Sequence, residues 1–295
     1  LMVPMAQGRR IILVGDHRQL PHIIDDEVAR RMEDGENGPS ETDWLKKSMF
    51  HYLFSERLKT LEEGDKITRR VTLDRQYRMH ELLGDFISRN FYERFDPSEK
   101  FDSGRPPSDF AHALPDTGGK PAAWLAVPVE KGKHQRSGTS WIRQIEATLI
   151  VRQLLAWMNC EAGKDLAFGV ISFYRAQAEY IRKQLGTLGD NDKRLRIGTV
   201  DSFQGMEFDV VFLSTVRTVP QPWKSATDDR EKQAQSLFGH LCLYNRLNVS
   251  MSRQKKLLVV VGDPGLLEGD LAAEFIPGLV DFHKLCREQG VVLEC

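Results

Sequence analysis

The stretch "LRIGTVDSFQGMEFDVVFLSTVR", residues 195–217, holds two short apolar runs separated by a polar turn that contains Gly205 and Glu207. Runs that are apolar at consecutive positions, rather than at every second one, suit strands covered on both faces. The pattern recurs in "RIILVGD" (10–16), "AAWLAVPV" (122–129), "LAFGVISF" (166–173) and "KKLLVVVGD" (255–263). Between these runs lie segments with apolar residues at helical spacing: "DWLKKSMFHYLFSERL" (43–58), "SWIRQIEATLIVRQLLAWM" (140–158), "RAQAEYIRKQLGTL" (175–188) and "EFIPGLVDFHKLCREQG" (274–290). Strand and helix in alternation predict an α/β fold with a mostly parallel sheet flanked by helices. Two stretches break the rhythm. Residues 96–121, dense in Pro, Gly, Ser and Asp, predict a long surface excursion. Residues 221–240, polar and following a strand, suggest a mobile loop near a site.

With 295 residues, 41% hydrophobic and 28% charged, the chain has the composition of a soluble globular protein of one large or two modest domains. A net charge of −1 gives no global footprint for nucleic acid, so any polyanion must be held by local patches. Cys160, Cys242, Cys286 and Cys295 show no CxxC spacing, which suggests neither a zinc site nor a disulfide framework and points to an intracellular, cytoplasmic or nuclear setting. No run approaches the roughly 20 apolar residues that span a bilayer, so no membrane partner is expected. The start, "LMVPMAQGRR", has neither an initiating Met nor a signal-peptide pattern and reads as a cut from a longer protein.

Four segments hold the residues that can carry chemistry. In "RRIILVGDHRQLPHI" (9–23) the predicted strand runs into Gly15 and Asp16 and then a polar turn. The carboxyl ends of parallel strands are where ligands bind, so Asp16, Arg18 and Gln19 stand at a site edge, with Gln19 able to orient a water or touch a phosphate. An ordinary polar turn is the alternative. In residues 195–217 the backbone N–H groups near Gly205 and the Glu207 carboxylate can meet a phosphate and a ribose hydroxyl. Thr199 and Ser202 can bond a backbone phosphate, and a hairpin-like connection is the alternative. In "LDRQYRMHELL" (73–83), Arg75, Tyr77 and Arg78 stand where a strand-like run gives way to a helix. Each guanidinium there must find an anion or stay in water. In "LYNRLNVSMSRQKKLLVVVGD" (243–263), Arg246 and Arg253 are seven residues apart, the spacing of a shared helix face from which one can reach across a cleft. A plain solvated face fits as well.

The order of these segments adds information that none carries alone. GDxxQLP, QYRM, TVDSFQGxExDVV and RLNVxxxR, between residues 9 and 263, resemble the later motifs of superfamily 1 helicases, in particular the branch that includes the nonsense-mediated-decay RNA helicases. "GVISFYRAQAEYIRKQL" (169–185) resembles the element between the second and third of them. The resemblance implies a RecA-like, P-loop NTPase-type fold. Residues 1–65 would be the remnant of a first RecA-like domain with its linker, and residues 66–295 the second domain. It further implies an ATP-dependent helicase. In it Gln19 senses the γ-phosphate, Arg78 is an arginine finger and Arg253 a second one. Gly15, Asp16 and Gly205 lie near the nucleotide, Tyr77 packs on adenine, and Glu207 contacts the ribose. Ser172, Tyr174, Thr199 and Ser202 would contact single-stranded RNA or DNA. Arg75 receives no role.

The family's phosphate-cradling GxxxxGK[ST] loop is not in this chain, and "TGGKP" (117–121), with Pro after the Lys, is a loop. "IIDDEVA" (23–29) imitates the metal-binding Asp-Glu pair but follows the Gln19 motif, so Asp26 and Glu27 are expected to open a helix. The Mg²⁺ ligands of an ATP site are therefore expected on the first RecA-like domain, outside this chain, which alone is expected to be inactive. Three departures from the family, His22 and Phe173 for Pro and Arg143 for Asn, touch strand contacts more than nucleotide contacts. The rival reading is a helicase-derived module that holds nucleic acid or a protein and hydrolyses nothing.

Overall fold

A computed structural model of the chain describes residues 7–20, 48–219 and 227–295. Asp26 and Glu27 lie outside the described residues. The chain divides into two compact units, Leu1–Leu73 and Asp74–Cys295.

In the first unit, Met49–Tyr52, a wider π-type turn at Leu53–Arg57, and Leu58–Asp65 run on as one helical stretch. The Ser48 hydroxyl opens it by accepting a bond from the His51 N–H at 3.0 Å. Lys66, in the left-handed region at φ 60°, ends it. The chain then folds back because Glu62 accepts the backbone N–H groups of Arg69 and Arg70 and pairs with the Arg70 guanidinium at 2.8 Å. One expectation fails here. The run at 10–16 is not a strand: it has no ladder partner among the described residues, and Ile12 and Val14 are 91% and 86% exposed. An apolar run becomes a strand only by pairing, and its sequence records the covering it requires rather than the partner.

The second unit is built on six strands: β1 (Ala122–Ala126), β2 (Phe168–Ser172), β3 (Leu195–Thr199), β4 (Phe208–Ser214), β5 (Gln254–Gly262) and β6 (Val291–Glu294). They lie in the order β6-β1-β5-β4-β2-β3, with every pairing parallel. The α-helices longer than one turn are α1 (Glu81–Ser88), α2 (Gln144–Asn159), α3 (Arg175–Leu185), α4 (Arg230–Phe238), α5 (Tyr244–Met251), α6 (Gly269–Phe275) and α7 (Pro277–Glu288). On one face, Ile150, Leu154 and Trp157 of α2 and Ile181 of α3 pack on Val170, Phe212 and Val259. On the other, α7 sets His283 against Trp124 at 5.0 Å, and α1 joins it through Phe86 and Phe282 at 5.3 Å. Burial on both faces is why Leu257 to Val261 are apolar without alternation: all five are fully buried.

Local details depart from the sequence reading. Ser140–Ile142 pairs antiparallel with Gln135–Ser137, so the helix expected from 140 starts at Gln144. The predicted mobile loop contains α4, capped by the Asp229 carboxylate. The excursion at 96–121 is anchored by buried Phe110 and Leu114 and by the Trp157 indole, which donates to the Pro115 carbonyl at 3.2 Å. The connection from β3 to β4 is not a hairpin. Both strands pair parallel with β2, which lies between them, so residues 200–207 return along the sheet with Val200 and Phe203 buried.

Candidate functional site

In the first unit, the Asp16 carboxylate accepts the Arg18 N–H at 2.9 Å and the Gln19 side-chain amide at 2.8 Å. Gly15 lies against Phe50, whose ring would sit 3.0 Å from an added Cβ. His17 packs beside His51 and Phe54 at 5.2 and 5.1 Å. Asp16 and Gln19 thus share one turn seated on the helical stretch.

In the second unit, a first cluster forms where β4 and β5 begin. Arg75 and Gln76 pair with Asp102 and Ser103. The Gln76 side chain then templates the turn: its carbonyl accepts the N–H groups of Arg78 and Met79, both at 2.9 Å, and its amide donates to the Met79 carbonyl at 2.8 Å. This turn leaves Tyr77 58% exposed, its ring against Gly104, where an added Cβ would meet it at 2.2 Å. Arg78 points the other way. Its Nε meets Glu207 at 3.2 Å, and its Nη1 donates to the Ser252 carbonyl at 3.0 Å. Lys255 holds the other Glu207 oxygen at 2.8 Å. The Lys255 ammonium, with a further contribution from Arg78, keeps the Glu207 carboxyl below the usual carboxylate range. Gly205 takes φ +79° with open space around it, so glycine is required there by the backbone. Arg75 is exposed.

Arg253 corrects the helix-face reading. Helix α5 stops at Met251, and Arg253 is 1% exposed, donating to the Val249 carbonyl at 3.0 Å and to the Ser252 hydroxyl at 2.9 Å. Arg246 pairs instead with Asp201 at 3.1 Å.

A second cluster lies past the carboxyl ends of β2, β3 and β4. There a cavity of about 570 Å³ is lined by Trp141, Tyr174, Thr199, Arg217, His240 and Arg246 among others. Tyr174 and Thr199 are thus brought together. Ser172 and Ser202 are not, because their hydroxyls serve the backbone. Ser172 is fully buried and accepts the Tyr174 N–H at 3.2 Å, while Ser202 donates to the Thr199 carbonyl at 2.7 Å. Beneath the cavity, Val216 stands at φ 66°, an outlier for a β-branched residue that costs about 1–3 kcal/mol. Lys255, Gln76, Trp141 and Arg217 escaped the sequence reading. Trp141 and Gln76 gave no signal, whereas Arg217 closes an apolar run with a charge, which is the kind of signal the QYRM arginines gave.

Among the described residues, no group of three or more His, Cys, Asp or Glu could hold a metal, and no helix is long and apolar enough to cross a membrane. A six-stranded parallel sheet with helices on both faces fits a RecA-like α/β domain of P-loop NTPase type. A family profile described as an AAA domain matches residues 45–265. The chain belongs to that family, as a superfamily 1 helicase C-terminal part of the nonsense-mediated-decay branch. It is 29% identical to the ATP-dependent helicase NAM7 of Saccharomyces cerevisiae, over 99% of this chain and 26% of that protein. It is also 29% identical to a regulator of nonsense transcripts 1 homolog of Neurospora crassa, over 90% of this chain and 21% of that one. The uncharacterized ATP-dependent helicase MJ0104 of Methanocaldococcus jannaschii is 26% identical over 91% of this chain and 34% of its own length. The chain thus spans between about a fifth and a third of these relatives.

Proposed function

We propose that the chain supplies the second RecA-like domain of an ATP-dependent nucleic-acid helicase or translocase, with residues 1–65 the end of the first domain and the linker. Arg78 and Arg253 act as arginine fingers, Tyr77 packs on adenine, and Gln19 senses the γ-phosphate. Glu207 meets the ribose from the cluster it shares with Arg78, near Gly205. The observation that carries this reading is the Arg78 side chain, which ties the QYRM turn to Glu207 and to the Ser252 carbonyl beside Arg253. Phosphoryl transfer requires charge placed against a developing transition state, which suits planar, permanently charged guanidiniums. Mg²⁺ and the phosphate cradle belong to the first domain of the same protein, so this chain alone turns over no ATP. The cavity past β2, β3 and β4 forms part of the groove for single-stranded RNA or DNA, through Tyr174 and Thr199, with Ser172 and Ser202 supporting its walls.

The test is ATP turnover by the full-length protein with and without single-stranded RNA or DNA. Turnover stimulated by a single strand is expected. Strand binding without any turnover would overturn the motor and identify the binding module.

A further inference from the structure

Among the arginines that line the cavity, Arg217 is the buried one, whereas Arg136 is exposed and lies over the Trp141 ring at 4.3 Å. Arg175 is paired with Glu179 at 2.7 Å and Arg246 with Asp201 at 3.1 Å. Arg217 is only 6% exposed, yet it has no carboxylate partner among the described residues. Its Nε donates to the Leu237 carbonyl at 2.7 Å and its Nη2 to the Ser236 carbonyl, both at the C-terminal end of α4. Its guanidinium lies over the Trp141 ring at 4.9 Å. Carbonyl dipoles at a helix end favour a cation, but they do not neutralise it. A buried guanidinium in this state, lining a cavity, is a receptor for an anion, and its planar fork matches a phosphate.

The backbone that aims it is strained. The Arg217 N–H donates to the Thr215 carbonyl at 2.7 Å, closing a three-residue turn around Val216 at φ 66°, the rare form of that turn. The turn is held from beneath by one carboxylate. Glu146, fully buried on α2, accepts the Val216 N–H at 3.0 Å and the Ser214 hydroxyl at 2.6 Å through the same oxygen. The Gln177 amide donates to Ser214 at 3.1 Å, and Arg143 lies 3.4 Å from the other Glu146 oxygen. Strain is kept where surrounding structure over-determines it, and here the structure that does so ends on one guanidinium.

We propose that Arg217 holds a backbone phosphate of the bound single strand, and that Glu146 is its positioning residue, acting through the strained turn at Val216. The proposal rests on the reading of the cavity as part of the strand groove.

The experiment measures the affinity of the full-length protein for an unstructured oligonucleotide, U-rich RNA and its T-rich DNA counterpart, across a range of salt. Arg217→Ala should weaken binding roughly tenfold or more and reduce the slope of log affinity against log salt by about 0.7, the share of one phosphate contact. Arg217→Lys should restore the slope but only part of the affinity. Glu146→Gln should lower both affinity and slope even though Arg217 is present, and the double variant should bind no more weakly than Arg217→Ala. If Glu146→Gln does not fold, Ser214→Ala is the milder change and should shift the slope in the same direction. A Glu146→Gln or Ser214→Ala protein with a lowered melting temperature but an unchanged slope would overturn the positioning role. An unchanged slope in Arg217→Ala would overturn the phosphate site while the groove stands. Failure of the wild-type protein to bind either strand would remove the groove itself.

Discussion

On the finger role proposed for Arg78, replacing it by Ala separates stability from chemistry, because the structural bonds of its side chain are few. Its ion pair with Glu207 is open to solvent, with 32% and 45% of the two side chains exposed. Such a pair contributes about 0–1 kcal/mol. The bond to the Ser252 carbonyl adds about 0.5–1.5 kcal/mol. Loss of both should therefore cost about 0.5–2.5 kcal/mol in urea denaturation of this chain. A finger that neutralises transition-state charge is worth roughly 10³-fold or more in kcat, about 4 kcal/mol. Arg253→Ala makes the opposite control for stability. That guanidinium is 1% exposed and donates to the Val249 carbonyl and the Ser252 hydroxyl, so its removal breaks two buried bonds and empties the space it fills, at about 2–4 kcal/mol. Both variants of the full-length protein should lose single-strand-stimulated turnover at saturating ATP, while only Arg253→Ala loses much stability. Normal kcat in Arg78→Ala would refute the finger. A kcat loss that tracks the fraction unfolded, with equal stability costs in both variants, would reduce both arginines to structural residues.

Tyr77→Ala should raise KM for ATP by an amount equivalent to about 1–3 kcal/mol and spare kcat at saturation, since stacking is present before and during transfer. Tyr77→Phe should leave both near wild type. Trp157→Ala should destabilise the chain by about 3–5 kcal/mol, because a fully buried indole and its bond to the Pro115 carbonyl are lost together. A cost near that of a surface change, read by urea denaturation, would contradict the packing of α2 on the sheet. His134 is held from its usual 6.5 down to about 4 by burial first, then by Arg217 and Arg143, and its Nδ1 accepts the Thr218 N–H at 3.1 Å. The unfolded chain binds this proton more readily, so stability is lost as pH falls from about 6.5 toward 4. His134→Gln should make that acid limb shallower, and an unchanged limb in a pH series of melts would sink the assignment.

Legibility in the sequence followed the range of the forces involved. The runs at 122–129, 166–173, 209–216 and 255–263 announced buried strands because covering both faces of a parallel sheet demands continuous apolar residues, a constraint written into the run itself. The run at 10–16 carried the same signal and formed no strand, since a ladder partner is a property of another segment. Arg78 and Glu207 stood out singly, but 129 residues separate them, and no local pattern could report that they meet. Arg253 was misplaced on a helix face because heptad-like spacing does not show where a helix stops. Gln76 was invisible for a different reason: a glutamine that templates a turn through its own amide has the composition of any polar residue.

Strand β4 gives the two clusters a common mechanical element. Glu207 immediately precedes it and Val216 follows two residues after it, so its seven residues, about 23 Å of extended chain, separate the guanidinium cluster from the strained turn. From Val210 to Leu213 it is fully buried and hydrogen-bonded to β2 on one side and β5 on the other. A strand packed on both faces and paired on both edges neither stretches nor slides without breaking ladder bonds and opening voids, and interiors packed at crystal-like density resist both. Within this unit the two ends of β4 are therefore held at a fixed separation, so that a displacement of Glu207 relative to Arg217 would have to move the whole sheet rather than adjust along the strand. This stiffness is what a domain requires if binding at one end is to be read at the other as movement of a single body.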